Sequence, residues 1–375
     1  MKKIKSYNSF LNEAKKELNS EQKEFLDTVC KGNSKWEQDE DGFINVDGDF
    51  DADYMDLKDL YGIKFGTING DFNVSDNDLR SLEGCPKKVQ GYFSCSSNYL
   101  NTLIGGPDSV KGDYICSNNN LFNLNFIAKD FNGLYASGND LEYLGDLPQS
   151  INGDFFINYN VLLKSLKGSP KIIGGDYDCS DCKLESLKGG PEKVGGTFNC
   201  EKNNLNSLAG GPESVGGDFL LSYNKVGSLE DIATGTKAIS IVGNPISSLQ
   251  GIDFKSINKI YHGENLLPRE MIDFQLEYLR QKEDLDGWLK EYIEKDPKRF
   301  AQLFNVQNSD RNRKKLDNLN LIDFSFEHPK VLLQIVTHIR PNSLLYHYLK
   351  DNEDKFSKEF KEGSGLYLDL KDLGF

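Results

Sequence analysis

The sequence predicts an α/β repeat solenoid of short parallel strands with a mostly coil convex side, followed by a small all-helical domain. Three observations predict it. A motif returns every 20 to 22 residues from Asp71 to about Asn265; within each copy apolar residues alternate with variable ones; and both features stop together after Asn265. A fixed short period belongs to stacked units that bury a core only jointly.

The alternation is seen in Phe93-x-Cys95 and in Phe72-x-Val74, Tyr114-x-Cys116, Tyr135-x-Ser137, Phe155-x-Ile157, Tyr177-x-Cys179, Phe198-x-Cys200 and Phe219-x-Leu221. Period two marks a strand. An Asn-x-Leu-x-x-Leu element follows at Asn77, Asn98, Asn119, Asn139 and Asn203, with Val226 and Ile246 as apolar substitutes after Asn224 and Asn244. One copy, Asn160 to Leu166, carries an extra residue, and Cys182 stands where one Asn is expected. The Asn lies five residues after the aromatic, four in the copy at Tyr135, where stacked coil needs a polar side chain to satisfy buried backbone groups. Gly-Gly-Pro, as in Gly105-Gly106-Pro107, makes the return bend. The expectation is one short strand per repeat and about ten turns at the ~4.8 Å strand spacing.

The array resembles the leucine-rich repeat, with aromatics and cysteines written into the strand. That resemblance implies an open strand face for a protein partner. Taking the aromatic as inward, the first outward column reads Asp71, Tyr92, Asp113, Leu134, Asp154, Asp176, Thr197 and Asp218. The second reads Asn73, Ser94, Ile115, Ala136, Phe156, Asp178, Asn199 and Leu220, and the third is mostly serine. Ile115, Phe156 and Leu220 are the candidate anchors. Asp113, Asp154, Asp176, Asp178 and Asp218 are the candidate polar contacts, or else residues that only bond the bend. A basic or mixed-charge protein partner fits such a face.

The remaining residue classes narrow the function. Net charge is −14, with acid concentrated between Glu37 and Asp59, which argues against direct nucleic-acid binding. The run Asp47, Asp49, Asp51, Asp53 lacks the Gly and the acidic twelfth residue of a calcium loop, since Ala52 and Lys58 stand there. It reads instead as part of acidic capping strands over 35–60. Of seven cysteines, Cys95, Cys116, Cys179 and Cys200 share one inward repeat position and Cys182 falls on the Asn position. The Cys179-x-x-Cys182 spacing thus follows from the repeat, and a buried reduced ladder is expected rather than disulfides or a metal site. No apolar run approaches the ~20 residues of a membrane span, and no secretory signal is visible. No cofactor is expected.

The first fourteen residues are basic at Lys2, Lys3 and Lys5 and apolar at Ile4, Tyr7, Phe10 and Leu11, which is helical spacing. By composition this is an amphipathic terminal helix that docks on the body. The segment also resembles the capsid-targeting leader of internal proteins of T-even-type tailed phages. That resemblance implies cleavage by a prohead protease at Leu11-Asn12-Glu13, with Glu13 before the cut and Ala14 as the new amino terminus. The Asp-Gly-Asp-Phe entry and the Gly-Gly-Pro-x-x-Val-x-Gly-x-Phe turns are similar to leucine-rich-repeat proteins of large tailed phages. Together these imply a non-enzymatic phage protein located in the virion interior and/or the bacterial host cytoplasm, with the capsid scaffold as a further partner. The alternative is an intracellular phage or bacterial binding module that never enters a capsid.

The expected organisation is a leader over 1–14, a helical segment over 15–34, the capping strands, a solenoid over 61–266 and a helical domain over 267–375. In the last, Met271, Phe274, Tyr278 and Leu279 have helical spacing, Asp296-Pro297 is a start signal, and helical stretches are expected over Pro329 to Ile339, Ser343 to Lys350 and Asn352 to Lys361. The order of repeats then helices also resembles secreted ubiquitin ligases of enteric bacteria. Those need a cysteine nucleophile in the helical domain, and here the last cysteine is Cys200. His328, His338 and His347 form no i, i+4 pair, so no catalytic or metal constellation is expected.

Overall fold

The computed structural model describes residues 17–30, 32–246, 257, 259–262, 292–304, 338–339 and 343–351. The chain divides into two compact units, residues 1–244 with 256–261, and residues 245–255 with 262–375.

The first unit opens with helix α1, Ser20–Val29, started by a reciprocal cap: Asn19 Oδ1 accepts from Gln22 N at 2.8 Å and Gln22 Oε1 from Asn19 N at 3.0 Å. Strands follow in chain order: β1 Lys35–Gln38, β2 Ile44–Asp47, β3 Phe50–Asp51, β4 Phe65–Ile68, β5 Phe72–Asn73, β6 Lys88–Val89, β7 Phe93–Ser94, β8 Ser109–Val110, β9 Tyr114–Ile115 and β10 Leu134–Tyr135. Then come β11 Ser150–Ile151, β12 Phe155–Phe156, β13 Ile172–Ile173, β14 Tyr177–Asp178, β15 Lys193–Val194, β16 Phe198–Asn199, β17 Ser214–Val215, β18 Phe219–Leu220, β19 Ala238–Ser240 and β20 Lys259–Tyr261.

One ladder of eleven strands runs β3-β5-β7-β9-β10-β12-β14-β16-β18-β19-β20, parallel throughout. Its inward residues, Phe50, Phe72, Phe93, Tyr114, Leu134, Phe155, Tyr177, Phe198, Phe219 and Ile239, are all fully buried. They stack ring on ring along the axis, with Phe50–Phe72 centroids at 4.6 Å and Phe155–Tyr177 at 5.1 Å. At Leu134 the ring column is interrupted, and Phe131 reaches Tyr114 at 6.4 Å. Helix α1 lies at the β3 end: Phe25 meets Phe50 at 6.0 Å and Tyr61 at 4.8 Å.

Two features depart from the expectations. A second strand of two to four residues precedes the main strand in most turns, giving ladders β2-β4-β6-β8 and β11-β13-β15-β17, with β1 joining β2 antiparallel. The break between the two ladders falls where Phe131 occupies the Val position. In addition, Leu134 and Ala136, expected to face out, are fully buried, and Tyr135, expected inward, faces out. The register pairs Leu134 with Tyr114 and Tyr135 with Ile115. A one-residue shift flips every side chain of a strand to the other face.

The buried asparagines join the turns. Asn119 Oδ1 accepts from Leu100 N at 3.0 Å; its Nδ2 reaches the carbonyls of Cys95, Cys116 and Ser117 at 3.0, 3.2 and 3.2 Å. The bend between turns uses a left-handed residue, as at Gly105 with φ +91°, where a Cβ would press on the Leu82 carbonyl. Gly196 serves differently, since a Cβ there would overlap Asp176 Oδ1 in the turn before.

In the second unit the described helices are α2, Pro297–Phe304, and α3, Leu344–Asp351. Both have local caps: Asp296 Oδ1 accepts from Arg299 N at 2.9 Å, and Ser343 Oγ from Tyr346 N at 3.3 Å. Of the helix expected over Pro329 to Ile339, His338 and Ile339 are described and are not helical; the rest of it, the expected helices other than α2 and α3, and His328 lie outside the described residues.

Candidate functional site

The outward face of the eleven-stranded ladder is built by the residues that alternate with the buried column. Its first column is largely committed to the fold. Asp71 Oδ1 accepts from Tyr92 N at 2.8 Å, Asp154 Oδ1 from Asp176 N at 2.8 Å, and Asp176 Oδ1 from Thr197 N at 2.6 Å. Asp113 Oδ1 accepts from Asn132 Nδ2 at 2.8 Å. Each carboxylate thus caps an amide of the following turn, which explains the Gly-Asp sequence without any ligand. Asp218 occupies the same column, half-buried. In this column Gly133 stands where Leu134 was expected.

The second column carries the apolar content. Ile115, Tyr135 and Phe156 sit side by side on β9, β10 and β12, paired in register and all half-buried. The rings of Tyr135 and Phe156 meet edge to face at 5.1 Å. Tyr135 is the residue that the sequence reading missed. Its hydroxyl donates to Asp154 Oδ2 at 3.0 Å, and burial together with that carboxylate pushes its pKa up to about 12. Leu220 is not part of the stripe: Asp178 and Asn199 stand between it and Phe156 on β14 and β16.

Asp178 lies next to Phe156 across the β12–β14 pair. Its Oδ1 accepts from Ser180 N at 2.8 Å and its Oδ2 from Asn199 Nδ2 at 3.1 Å. Burial nevertheless raises its pKa above the usual carboxylate range, with these hydrogen bonds opposing the shift. Among the described residues the ion pairs are Lys111–Asp130, Lys171–Glu192 and Lys202–Asp181. None of them reaches Asp113, Asp154, Asp176, Asp178 or Asp218.

The run of entry aspartates lies across one turn and bonds the next. Asp47 accepts from Asn69 Nδ2 at 3.3 Å, Asp49 from Asp71 N at 2.9 Å and Asp51 from Asn73 Nδ2 at 3.1 Å. The seven cysteines are free thiols, six of them buried. Desolvation pushes the Cys116 and Cys182 thiols up to about 12 and those of Cys95 and Cys179 well above the ordinary value. At neutral pH such thiols are protonated and poor nucleophiles. Leu11, Asn12, Glu13 and Ala14 lie outside the described residues. No described helix is long and apolar enough to cross a membrane.

No family model and no curated protein matches this chain. Among solved structures, YopM from Yersinia enterocolitica WA-314 aligns at 15% sequence identity with a TM-score of 0.31, over 58% of this chain and 64% of that one. The chain therefore spans a little under two thirds of the length of that structure. The leucine-rich-repeat type of the fold rests on the strand and asparagine ladders themselves, and solenoids of that type present extended surfaces suited to protein interaction.

Proposed function

We propose that this chain is a non-enzymatic protein-interaction module that holds a basic or mixed-charge partner on the outward face of the eleven-stranded ladder. The observation that carries the reading is the stripe Ile115–Tyr135–Phe156, three apolar side chains on adjacent strands of an otherwise polar and acidic face. A rigid apolar centre ringed by polar groups is the usual anatomy of an anchor. Asp113, Asp154, Asp176 and Asp178 flank it and supply the charge that selects a cationic partner. Phe156→Ser should weaken capture of the partner by about a hundredfold while leaving the thermal midpoint within a few degrees. Unchanged affinity would move the binding surface elsewhere.

The leader resemblance supports a second part of the proposal, that the protein is packaged in a phage capsid and trimmed after Glu13. Peptide mapping of purified virions of the encoding phage tests it. The expected result is a peptide beginning at Ala14 with the first thirteen residues missing. Full-length protein in infected cells and none in virions would reject packaging and leave the interaction module standing in the cytoplasm.

A further inference from the structure

Turns of the main ladder enter left-handed backbone one residue before the buried Asn, or before Met55 and Cys182 where those stand in its place. Asp76, Asn118 and Gly138 fill that position with φ of 53°, 55° and 65°, residue types that tolerate it. Ser97 and Lys202 also fill it, both with φ of 52°, and Tyr54, Tyr159 and Tyr223 fill it with φ of 51°, 59° and 58°. A bulky aromatic is disfavoured there, so its presence calls for a compensating use. Tyr223 has one inside the fold, because its ring lies over Gly243 of the next turn. Tyr159 has Asp181 in place of that glycine, and the two rings are about equally exposed, at 55% and 58%.

Tyr159 also sits in the turn that carries the extra residue. That residue leaves Val161 and Leu162 45% and 44% exposed just beyond Tyr159, while Phe156 of the stripe lies three residues before it. Four outward apolar side chains thus fall within one short segment, running from the strand face over its edge. On the next strand Asp178 stands beside Phe156, and Asp181 one turn on from Tyr159 is paired with Lys202 at 3.4 Å.

We propose that Tyr159, Val161 and Leu162 continue the strand-face stripe over its edge as one anchor for an extended segment of a partner protein, whose apolar side chain rests on Tyr159 and Leu162 and whose arginine or lysine meets Asp178. This rests on the strand-face reading given above. Charge selects the occupant: the acidic neighbours disfavour an anionic membrane or nucleic acid, and a second copy of this chain carries the same net charge of −14. The extended form follows from the line of anchors, which runs across adjacent strands and then over one edge instead of filling a pocket.

The test uses the full chain and three synthetic peptides: alternating arginine and phenylalanine, alternating glutamate and phenylalanine, and alternating arginine and serine. Binding is read by fluorescence anisotropy and folding by the thermal midpoint. The arginine–phenylalanine peptide should bind the most tightly and the glutamate peptide not at all. Tyr159→Asn should weaken that binding about tenfold and leave the midpoint unchanged or raised, because Asn118 fills the same position natively. Leu162→Ser should weaken binding similarly. A lowered midpoint with unchanged affinity in Tyr159→Asn would assign the ring to the fold and overturn the proposal. If Phe156→Ser abolishes binding while Tyr159→Asn and Leu162→Ser do not, the edge anchor falls and the strand-face reading survives. Equal binding of the glutamate peptide, or failure of the arginine–phenylalanine peptide, overturns both.

Discussion

Leu163 donates its backbone N–H to the carbonyl of Asn160 in its own turn, at 3.0 Å. In neighbouring turns the equivalent N–H goes to the Asn of the following turn, as Leu141 N does to Asn160 Oδ1 at 3.2 Å and Leu184 N to Asn203 Oδ1 at 2.8 Å. The extra residue between Asn160 and Leu163 makes the local bond possible. It thereby removes the need for an acceptor one turn later, where Cys182 stands and Cys182 Sγ donates to the Ile157 carbonyl at 3.2 Å. The two irregularities of the repeat are one structural change.

That coupling predicts a non-additive pair. Cys182→Asn alone buries an amide oxygen that only the Asn160 amide can reach, where Asn203 Oδ1 takes both Cys182 N and Leu184 N, and deletion of Leu162 alone orphans the amide of Leu163; the two costs should sum to about 1–3 kcal/mol, most of it from the deletion. Combined, they restore the ordinary repeat, and the double variant should recover at least about 1 kcal/mol relative to the sum. Chemical denaturation of the four proteins measures it. Simple additivity would show that the two sites are independent.

Asn119 shows what the ordinary ladder is worth. Asn119→Ala leaves the Leu100 amide without its acceptor in a dry interior and takes one donor from each of three carbonyls, of which Cys95 keeps Asn98 Nδ2, Cys116 keeps Asn139 Nδ2 and Ser117 keeps the Ser97 amide. A loss of about 3 kcal/mol is expected. Asn118→Ala, one residue earlier and exposed, should cost about 1 kcal/mol, through the left-handed backbone alone. If the two variants unfold alike, the ladder bonds contribute little.

Two equivalent tyrosines should respond in opposite directions. Tyr177 Oη bonds Ser169 Oγ at 3.1 Å, whereas Tyr114, with Gly106 at the corresponding position, has a buried hydroxyl without a hydrogen-bond partner among the described residues. Tyr177→Phe strands the serine and should cost about 1 kcal/mol. Tyr114→Phe removes an unsatisfied group and should stabilise by about 1 kcal/mol. Equal signs in thermal unfolding would contradict the assignment.

The solenoid was legible because its period, its alternation and its asparagines repeat many times, so that stacking is written redundantly. The register at Leu134–Tyr135–Ala136 was not, since all three side chains suit a buried position and alternation has no direction there. The fixed count decides it: Asn139 lies five residues after Leu134, as Asn119 does after Tyr114. The second ladder escaped notice for a physical reason, because strands such as Lys88–Val89 are too short for a period of two to register. Cap signals at Asp296 and Ser343 were readable, being local. The stripe was half legible: Ile115 and Phe156 were named, and Tyr135 joins them only once the register is known.

The buried thiols predict how stability depends on pH. Cys116 and Cys182 have folded pKa values near 12, and Cys85, Cys95, Cys179 and Cys200 also lie far above the ordinary 9.0; desolvation is the largest cause in each. Above pH 9 the unfolded chain loses these protons while the folded chain keeps them, so the folded state binds more protons and stability falls as pH rises. The loss begins near pH 9 and continues toward pH 12, with each thiol contributing up to about 1.4 kcal/mol per pH unit. Replacing Cys95 and Cys116 by Ala should lower stability at pH 7 but flatten this slope. Cys30, half-buried and held at about 11 by burial and by Asp27, should be the one cysteine alkylated slowly in the native state at pH 8, the other six reacting only on unfolding. Rapid native labelling of Cys95 or Cys116 would mean that the turns around them open far more readily than a continuous ladder allows.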